Sequence, residues 1–346
     1  MELKEVEEAL KAVFLPELKR SIWALNMVRN IEAVGNRVKV TLCLTPLSAV
    51  AREHVQASVR TAIERLPGVD EVTIELVELP PQELNEFGRV IAVMSGKGGV
   101  GKSLIAALLA IALTRQGYQV GILDADITGP SIPKMFGLKA RPRGSEGGIL
   151  PVETRSGIEV MSINLLLPHE DQAVVWRGPM LSKAIAQFWE DVVWGKLDYL
   201  VVDLPPGTAD IPLTVMQLLP LCGVIIVSTP QELTAMVVRK AVHMAHMLDI
   251  PVIGVVENMS YLEEGGRRIE LFGRSKGEEM AREAEAPLLG QLPVDPALAA
   301  LCDDGEIERY DSEAFTALAK AFTKAMAALA PSPAARERSK EVKHGA

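Results

Sequence analysis

Residues 90–103 read Val90-Ile91-Ala92-Val93-Met94-Ser95-Gly96-Lys97-Gly98-Gly99-Val100-Gly101-Lys102-Ser103. An apolar run enters a glycine-rich turn that closes on Gly-Lys-Ser, and Leu104-Ile105-Ala106-Ala107 then opens a helical pattern. Strand, glycine loop and helix in that order form the context in which G-x-x-x-x-G-K-[ST] reads as a phosphate cradle. Gly96, Gly98, Gly99 and Gly101, with Lys97 and Val100 between them, let the chain wrap closely enough for several backbone N–H groups to face one phosphate. The following helix N-terminus adds its positive dipole. Lys102 is placed to reach the β- and γ-phosphates, and the Ser103 hydroxyl to ligate Mg²⁺. The ligand this pattern implies is ATP with Mg²⁺.

Beyond the cradle, apolar strands alternate with helical segments: Val90–Met94, Val120–Leu123, Leu200–Val202, Val224–Val227, Val252–Val256 and Leu288–Leu289. Strands apolar on both faces predict a mostly parallel sheet covered by helices on both sides, an α/β fold of the P-loop NTPase type. Ligands of such sheets bind outside the carboxyl ends of the strands, and the remaining polar motifs fall there. Asp124-Ala125-Asp126 ends one strand, and Asp203 ends the run Tyr199–Val202. Carboxylates in these positions hold Mg²⁺ and orient water on the γ-phosphate; turn capping is the alternative for Asp124 and Asp126. Asn258 follows Val255-Val256-Glu257, where a side-chain amide suits the N6 and N7 edge of adenine or caps the loop. Asp295, in Pro293-Val294-Asp295-Pro296, is a second candidate for lining the base pocket.

The stretch 1–80 reads as a small α/β domain. Leu3, Val6, Leu10, Val13 and Phe14 recur at helical spacing. Strands Val28–Val34 and Val38–Leu44 flank Gly35-Asn36, a helix spans Leu47–Leu66 up to Pro67-Gly68, and a last strand covers Val72–Val77. Residues 81–88 read as a linker, 89–330 as the ATPase domain, and 331–346 as a disordered tail. The C-terminal helix Asp311–Ala330 carries Phe315, Leu318, Phe322 and Met326 on one side, which suits packing on its own domain or an interfacial anchor.

A net charge of −9 over 346 residues argues against a broad basic surface, so neither nucleic acid nor stable membrane association is expected. The acidic start Met1-Glu2-Leu3-Lys4-Glu5 does not read as a signal peptide, and a cytoplasmic location is expected. Cys43, Cys222 and Cys302 lie far apart, so neither a disulfide framework nor a Cys-x-x-Cys metal site is present. Cys222, opening the apolar run to Val227, is expected in the core.

The second lysine of the loop, Lys97, resembles the deviant Walker A of the nitrogenase iron protein and of septum-site and plasmid-partition ATPases. That resemblance implies a lysine reaching across a dimer interface to the partner's nucleotide. Further signatures are Asp124–Pro133, Trp176-Arg177-Gly178-Pro179-Met180, Trp194–Asp210, Thr229-Pro230-Gln231 and Gly254–Tyr261. Together, over about residues 89–310, they closely resemble the Mrp/ApbC family of iron–sulfur cluster carrier ATPases. The N-terminal stretch resembles the small assembly domain often fused in front of them.

The resemblance implies an ATP-hydrolysing homodimer that binds a [4Fe–4S] cluster and serves client apoproteins and iron–sulfur assembly proteins. It implies catalytic roles for Lys97, Lys102 and Asp126, with Asp126 positioning the attacking water and Asp124 supporting the metal shell. Two departures stand out. Cluster-holding members carry a Cys-x-x-Cys soon after the Glu-Asn-Met triplet, whereas Tyr261-Leu262-Glu263-Glu264-Gly265-Gly266-Arg267-Arg268 has no cysteine. In the N-terminal stretch the reactive thiol position is Ser48, and the usual Asp-Pro-Glu is Leu15-Pro16-Glu17. The sequence therefore assigns no cluster ligands, although symmetry-related Cys43 or Cys302, or client thiolates, remain as sources. It leaves open a cluster-free regulatory ATPase, or a partition or positioning ATPase.

Overall fold

The computed structural model describes residues 3–15, 20–127, 129–145, 147–167, 178–231 and 233–329. The expected tail 331–346, Trp176-Arg177 and Pro16-Glu17 lie outside them. The chain divides into two compact units.

The first unit comprises Met1–Glu86, Pro142–Pro151 and Gln187–Leu197. Its sheet pairs Val28–Val34 antiparallel with Arg37–Leu42, which pairs parallel with Glu71–Leu76. Strand alternation sends Val38, Val40 and Leu42 inward, where helices Leu3–Lys11 and Ala49–Glu64 cover them with Val6, Leu10, Val55, Val59 and Ile63. The outward Arg37 and Lys39 meet Glu71 at 3.0 Å and Glu75 at 2.9 Å, exposed pairs worth at most about 1 kcal/mol each.

The later segments complete this core. The hairpin strands Arg143–Ser145 and Gly148–Leu150 bring in Leu150, and Val193 joins from the third segment. The Asn85 carbonyl oxygen accepts from the N–H groups of Trp194 (2.7 Å) and Gly195 (3.1 Å), while its amide donates to the Val192 carbonyl (2.8 Å). Ser48, the expected thiol position, has a backbone role: its hydroxyl accepts from the Ala51 N–H and caps helix Ala49–Glu64. Residues 81–88 hold a four-residue helix, Pro81–Leu84, and the first residues of strand Glu86–Met94.

The second unit contains an eight-stranded sheet in the order Leu288–Gln291, Val252–Glu257, Gly223–Ser228, Glu86–Met94, Lys196–Asp203, Val120–Asp124, Glu159–Ser162, Val152–Glu153. The edge strand Val152–Glu153 runs antiparallel to Glu159–Ser162, whereas Glu159–Ser162, Val120–Asp124 and Lys196–Asp203 pair in parallel, as do the strands on the other side of Glu86–Met94. The mostly parallel α/β architecture expected from the sequence is the observed one. Its last two strands and helix Gly178–Asp191 were not among the expected elements; both strands are short, and Glu153 and Glu159 interrupt their apolar pattern.

Helix Lys102–Thr114 is buried almost all round, from Ile105 to Leu113. The terminal helix Glu313–Ala327 packs its apolar stripe into the same core, with Phe315, Leu318, Phe322 and Met326 at most 2% exposed. An interfacial anchor needs that stripe free, so the packing reading of this helix holds. Among the described residues no helix is long and apolar enough to cross a membrane.

Candidate nucleotide site

The strand Glu86–Met94 delivers Ser95 into the glycine loop, whose backbone is pinned from three sides. The Ser95 hydroxyl donates to the Lys97 carbonyl at 2.9 Å, and the Gly207 N–H donates to the Ser95 carbonyl at 2.9 Å. The Asn258 amide donates to the Val100 carbonyl at 2.9 Å. Two glycines here are dictated by space. A β-carbon on Gly96 would lie 1.8 Å from Val237 Cγ1 and 2.7 Å from the Val237 carbonyl oxygen. One on Gly101, where φ is +83°, would lie 2.2 Å from Asn258 Nδ2. The loop is thus wedged between helix Leu233–Met247 and the turn after Val252–Glu257.

Behind the loop lies a buried charge cluster. Parallel register sets Asp203 beside Asp124, each at the carboxyl end of its strand. Lys102 Nζ, 5% exposed, stands 2.6 Å from Asp203 Oδ1, 3.7 Å from Asp126 Oδ2 and 3.3 Å from the Ser103 hydroxyl. Asp124 accepts from the Asp126 N–H (3.3 Å) and from the Ser162 hydroxyl (3.0 Å). Burial pushes the Asp124 carboxyl well above the usual carboxylate range; Asp203 beside it adds to the shift and Lys102 opposes it. Asp203 is likewise raised by burial, against the pull of Lys102.

Asp203 Oδ2 is buried and has no hydrogen-bond partner among the described residues. Such an oxygen, beside the Ser103 hydroxyl and a second carboxylate, fits a hard cation. Among the described residues no three His, Cys, Asp or Glu side chains form a metal cage. Mg²⁺ takes one or two carboxylates and completes its shell with phosphate oxygens and water, which matches a donor set of Ser103, Asp203 and Asp124.

The structure thus brings Lys102, Ser103, Asp124, Asp126 and Asp203 together behind the loop, with Asn258 against it. Asp295 makes a separate set of contacts. It caps helix Pro296–Asp303 by accepting from the Ala297 N–H at 2.8 Å, and it accepts from the Tyr310 hydroxyl at 2.8 Å. It lines a cleft of about 720 Å³ with Tyr261, Arg268, Gln291, Ser312 and Glu313. Lys97 donates to the Gln231 side-chain oxygen.

Sequence reading missed three residues. Ser162, the partner of Asp124, lies on an unexpected strand. Gln231 was noted only as part of a signature. Glu257, fully buried, accepts from the Ser260 hydroxyl (2.5 Å), the Ser275 hydroxyl (2.7 Å), the Lys276 N–H (2.7 Å) and the Gln291 amide (3.0 Å). An apolar strand ending in an acid, the pattern that marked Asp203, was the available signal for Glu257.

Among the described residues the three cysteines do not come together as an iron–sulfur ligand set within one chain. Cys43 is fully buried against the Thr45 hydroxyl, and Cys222 donates to the Val90 carbonyl. Burial pushes the Cys302 thiol up to about 11, with Asp303 adding to the shift, so it is protonated at neutral pH. Where the resemblance led cysteines to be expected, an exposed hairpin pairs Leu262–Glu264 with Arg267–Ile269 around Gly265-Gly266.

Comparison with known proteins gives a consistent picture. A family model described as NUBPL iron-transfer P-loop NTPase matches residues 86–330, and one described as iron-sulfur cluster assembly protein matches residues 3–76. An iron-sulfur cluster carrier protein of Synechocystis is 39% identical over 332 residues, covering 90% of this chain and 94% of that protein. Its Aquifex aeolicus counterpart is 38% identical, covering 93% and 98%. Among solved structures, a nucleotide-binding protein from Archaeoglobus fulgidus in complex with ADP is 48% identical, with a TM-score of 0.61 over 68% of this chain and 94% of that one.

Proposed function

The chain belongs to the iron-transfer P-loop NTPase family, and from that premise we propose that it binds and hydrolyses ATP as a nucleotide-switched homodimer serving iron–sulfur protein maturation. The observation that carries this is the buried array of Lys102, Asp124, Asp126 and Asp203 behind the loop, with Asp203 Oδ2 unsatisfied. Ser103, Asp203 and Asp124 would hold Mg²⁺, which supplies charge neutralisation for the phosphates when bound. The loop amides grip the β-phosphate, and Lys102 leaves Asp203 for the phosphate oxygens. Asp126 orients the attacking water, and Lys97 acts on the nucleotide of a second copy. Asn258, and Asp295 from its cleft, face the base. The ADP held by the Archaeoglobus relative supports nucleotide binding by this chain.

The cluster is cargo, and its thiolates come from the client rather than from Cys43, Cys222 or Cys302. The N-terminal stretch 1–80, matched by the assembly-protein family, is the client-facing domain, ahead of an ATPase domain at 89–330. A second reading, a regulatory ATPase that handles no cluster, is favoured by the same lack of accessible thiolate. Anaerobic purification with iron and sulfide analysis, with and without ATP and an apoprotein client, separates them. The carrier reading expects little iron on the protein alone and ATP-dependent activation of the client. No activation under any nucleotide condition leaves the regulatory reading.

A further inference from the structure

Lys97 is an exposed-loop cation with an assigned partner in its own chain. Its ammonium donates to Gln231 Oε1 at 2.5 Å. Two features bring the two groups together. The Lys97 carbonyl is tied to the Ser95 hydroxyl, so the backbone of this lysine is held and only its side chain can swing. Gln231 lies just ahead of helix Leu233–Met247, and Gly96 is pressed so closely against Val237 of that helix that no β-carbon fits between them. The loop bearing the lysine and the segment bearing the glutamine therefore lie side by side.

We propose that Gln231 is a positioning residue that parks Lys97 in the single chain and releases it for the nucleotide of a second copy. This rests on the dimeric ATPase reading above and adds to it the group that competes for the lysine. The acceptor chemistry suits the task. A neutral amide oxygen binds an ammonium strongly enough to order it, yet weakly enough to yield it to a polyphosphate, since exposed hydrogen bonds contribute little net free energy. A carboxylate in its place would hold the lysine as an ion pair and delay release.

The test uses the full chain with three substitutions, Gln231→Ala, Gln231→Glu and Lys97→Ala, and the double variants. Dimer fraction with a non-hydrolysable ATP analogue is measured by sedimentation, and steady-state turnover is measured at a protein concentration that half-dimerises the wild type. Gln231→Ala is expected to raise both, by about two- to fivefold for turnover, and Gln231→Glu to lower both by a similar factor. In the Lys97→Ala background the dimer fraction is expected to be the same whichever residue stands at 231. Gln231 effects that persist without Lys97, or a Gln231→Ala variant that loses dimer, overturn the parking role. If Lys97→Ala abolishes turnover while the Gln231 variants behave as wild type, the parking role fails and the dimeric reading stands. If Lys97→Ala changes neither turnover nor dimer fraction, both fail together.

Discussion

Replacing Gly101 with alanine tests the wedge that shapes the phosphate cradle. Gly101 adopts φ +83°, a left-handed backbone that costs an L-residue about 1–2 kcal/mol. The new β-carbon would stand 2.2 Å from Asn258 Nδ2, so the amide must leave its bond with the Val100 carbonyl. Losing that bond, with a buried acceptor left unpaired, costs a further ~1–3 kcal/mol. Gly101→Ala should therefore destabilise the unliganded protein by roughly 2–5 kcal/mol, summing these two terms. Asn258→Ala should cost about 1–3 kcal/mol through the same lost bond. In the double variant that bond is lost only once, beside the backbone strain, so the total should fall short of the sum by the bond term, roughly 1–3 kcal/mol. Urea denaturation reads these values, and ADP calorimetry reads whether the cradle keeps its shape. Effects that add to within about 0.5 kcal/mol would show that the two residues do not compete for the same space.

Three further outcomes follow from the charge cluster and the cysteines. Lys102→Ala should abolish nucleotide binding and cost about 3 kcal/mol of unliganded stability, because Asp203 loses the cation paired with it inside the protein; calorimetry and denaturation check the two halves separately. Asp126→Ala should keep ADP affinity but slow turnover by about 10²-fold if it orients water, and unchanged turnover would remove it from the mechanism. Cys302 should alkylate slowly at pH 8 and faster as pH climbs towards its value of about 11. Its folded value lies above the unfolded one, so any stability it contributes is complete below about pH 8.5 and declines as pH rises through 11. Rapid labelling at pH 7.5, followed by mass spectrometry, would contradict the burial of that thiol.

The cradle was legible because phosphate chemistry demands particular residues in a fixed local order: Gly96 to Ser103 carries both its geometry and its charge. The parallel sheet was legible for a different reason, since runs such as Val224–Val227 are apolar on both faces and suit a strand covered from each side. What stayed hidden depends on distance along the chain. Nothing near Gly96 announces Val237, and nothing near Asn85 announces Trp194, although the first pair sets the loop and the second closes a core. The capping role of Ser48 was legible too, since a Ser just ahead of a helical pattern is a common N-cap. The turn Gly265-Gly266 did carry a local hairpin signal, and the missing cysteines around it drew attention elsewhere.

The first unit is stitched from three stretches, the last ending at Leu197. Its interior cannot close while the chain is still being made as far as residue 86. At ordinary translation speeds, roughly 5–20 residues per second, Leu150 and Val193 leave the ribosome on the order of ten seconds after the strands whose core they join. During that interval the core cluster that holds Val38, Val40 and Leu42 is incomplete, which leaves apolar surface open to other chains. A gene truncated after residue 86 makes that interval permanent and should yield an aggregation-prone fragment, whereas a version that grafts the hairpin 143–150 and the strip 187–197 back on should recover a soluble one.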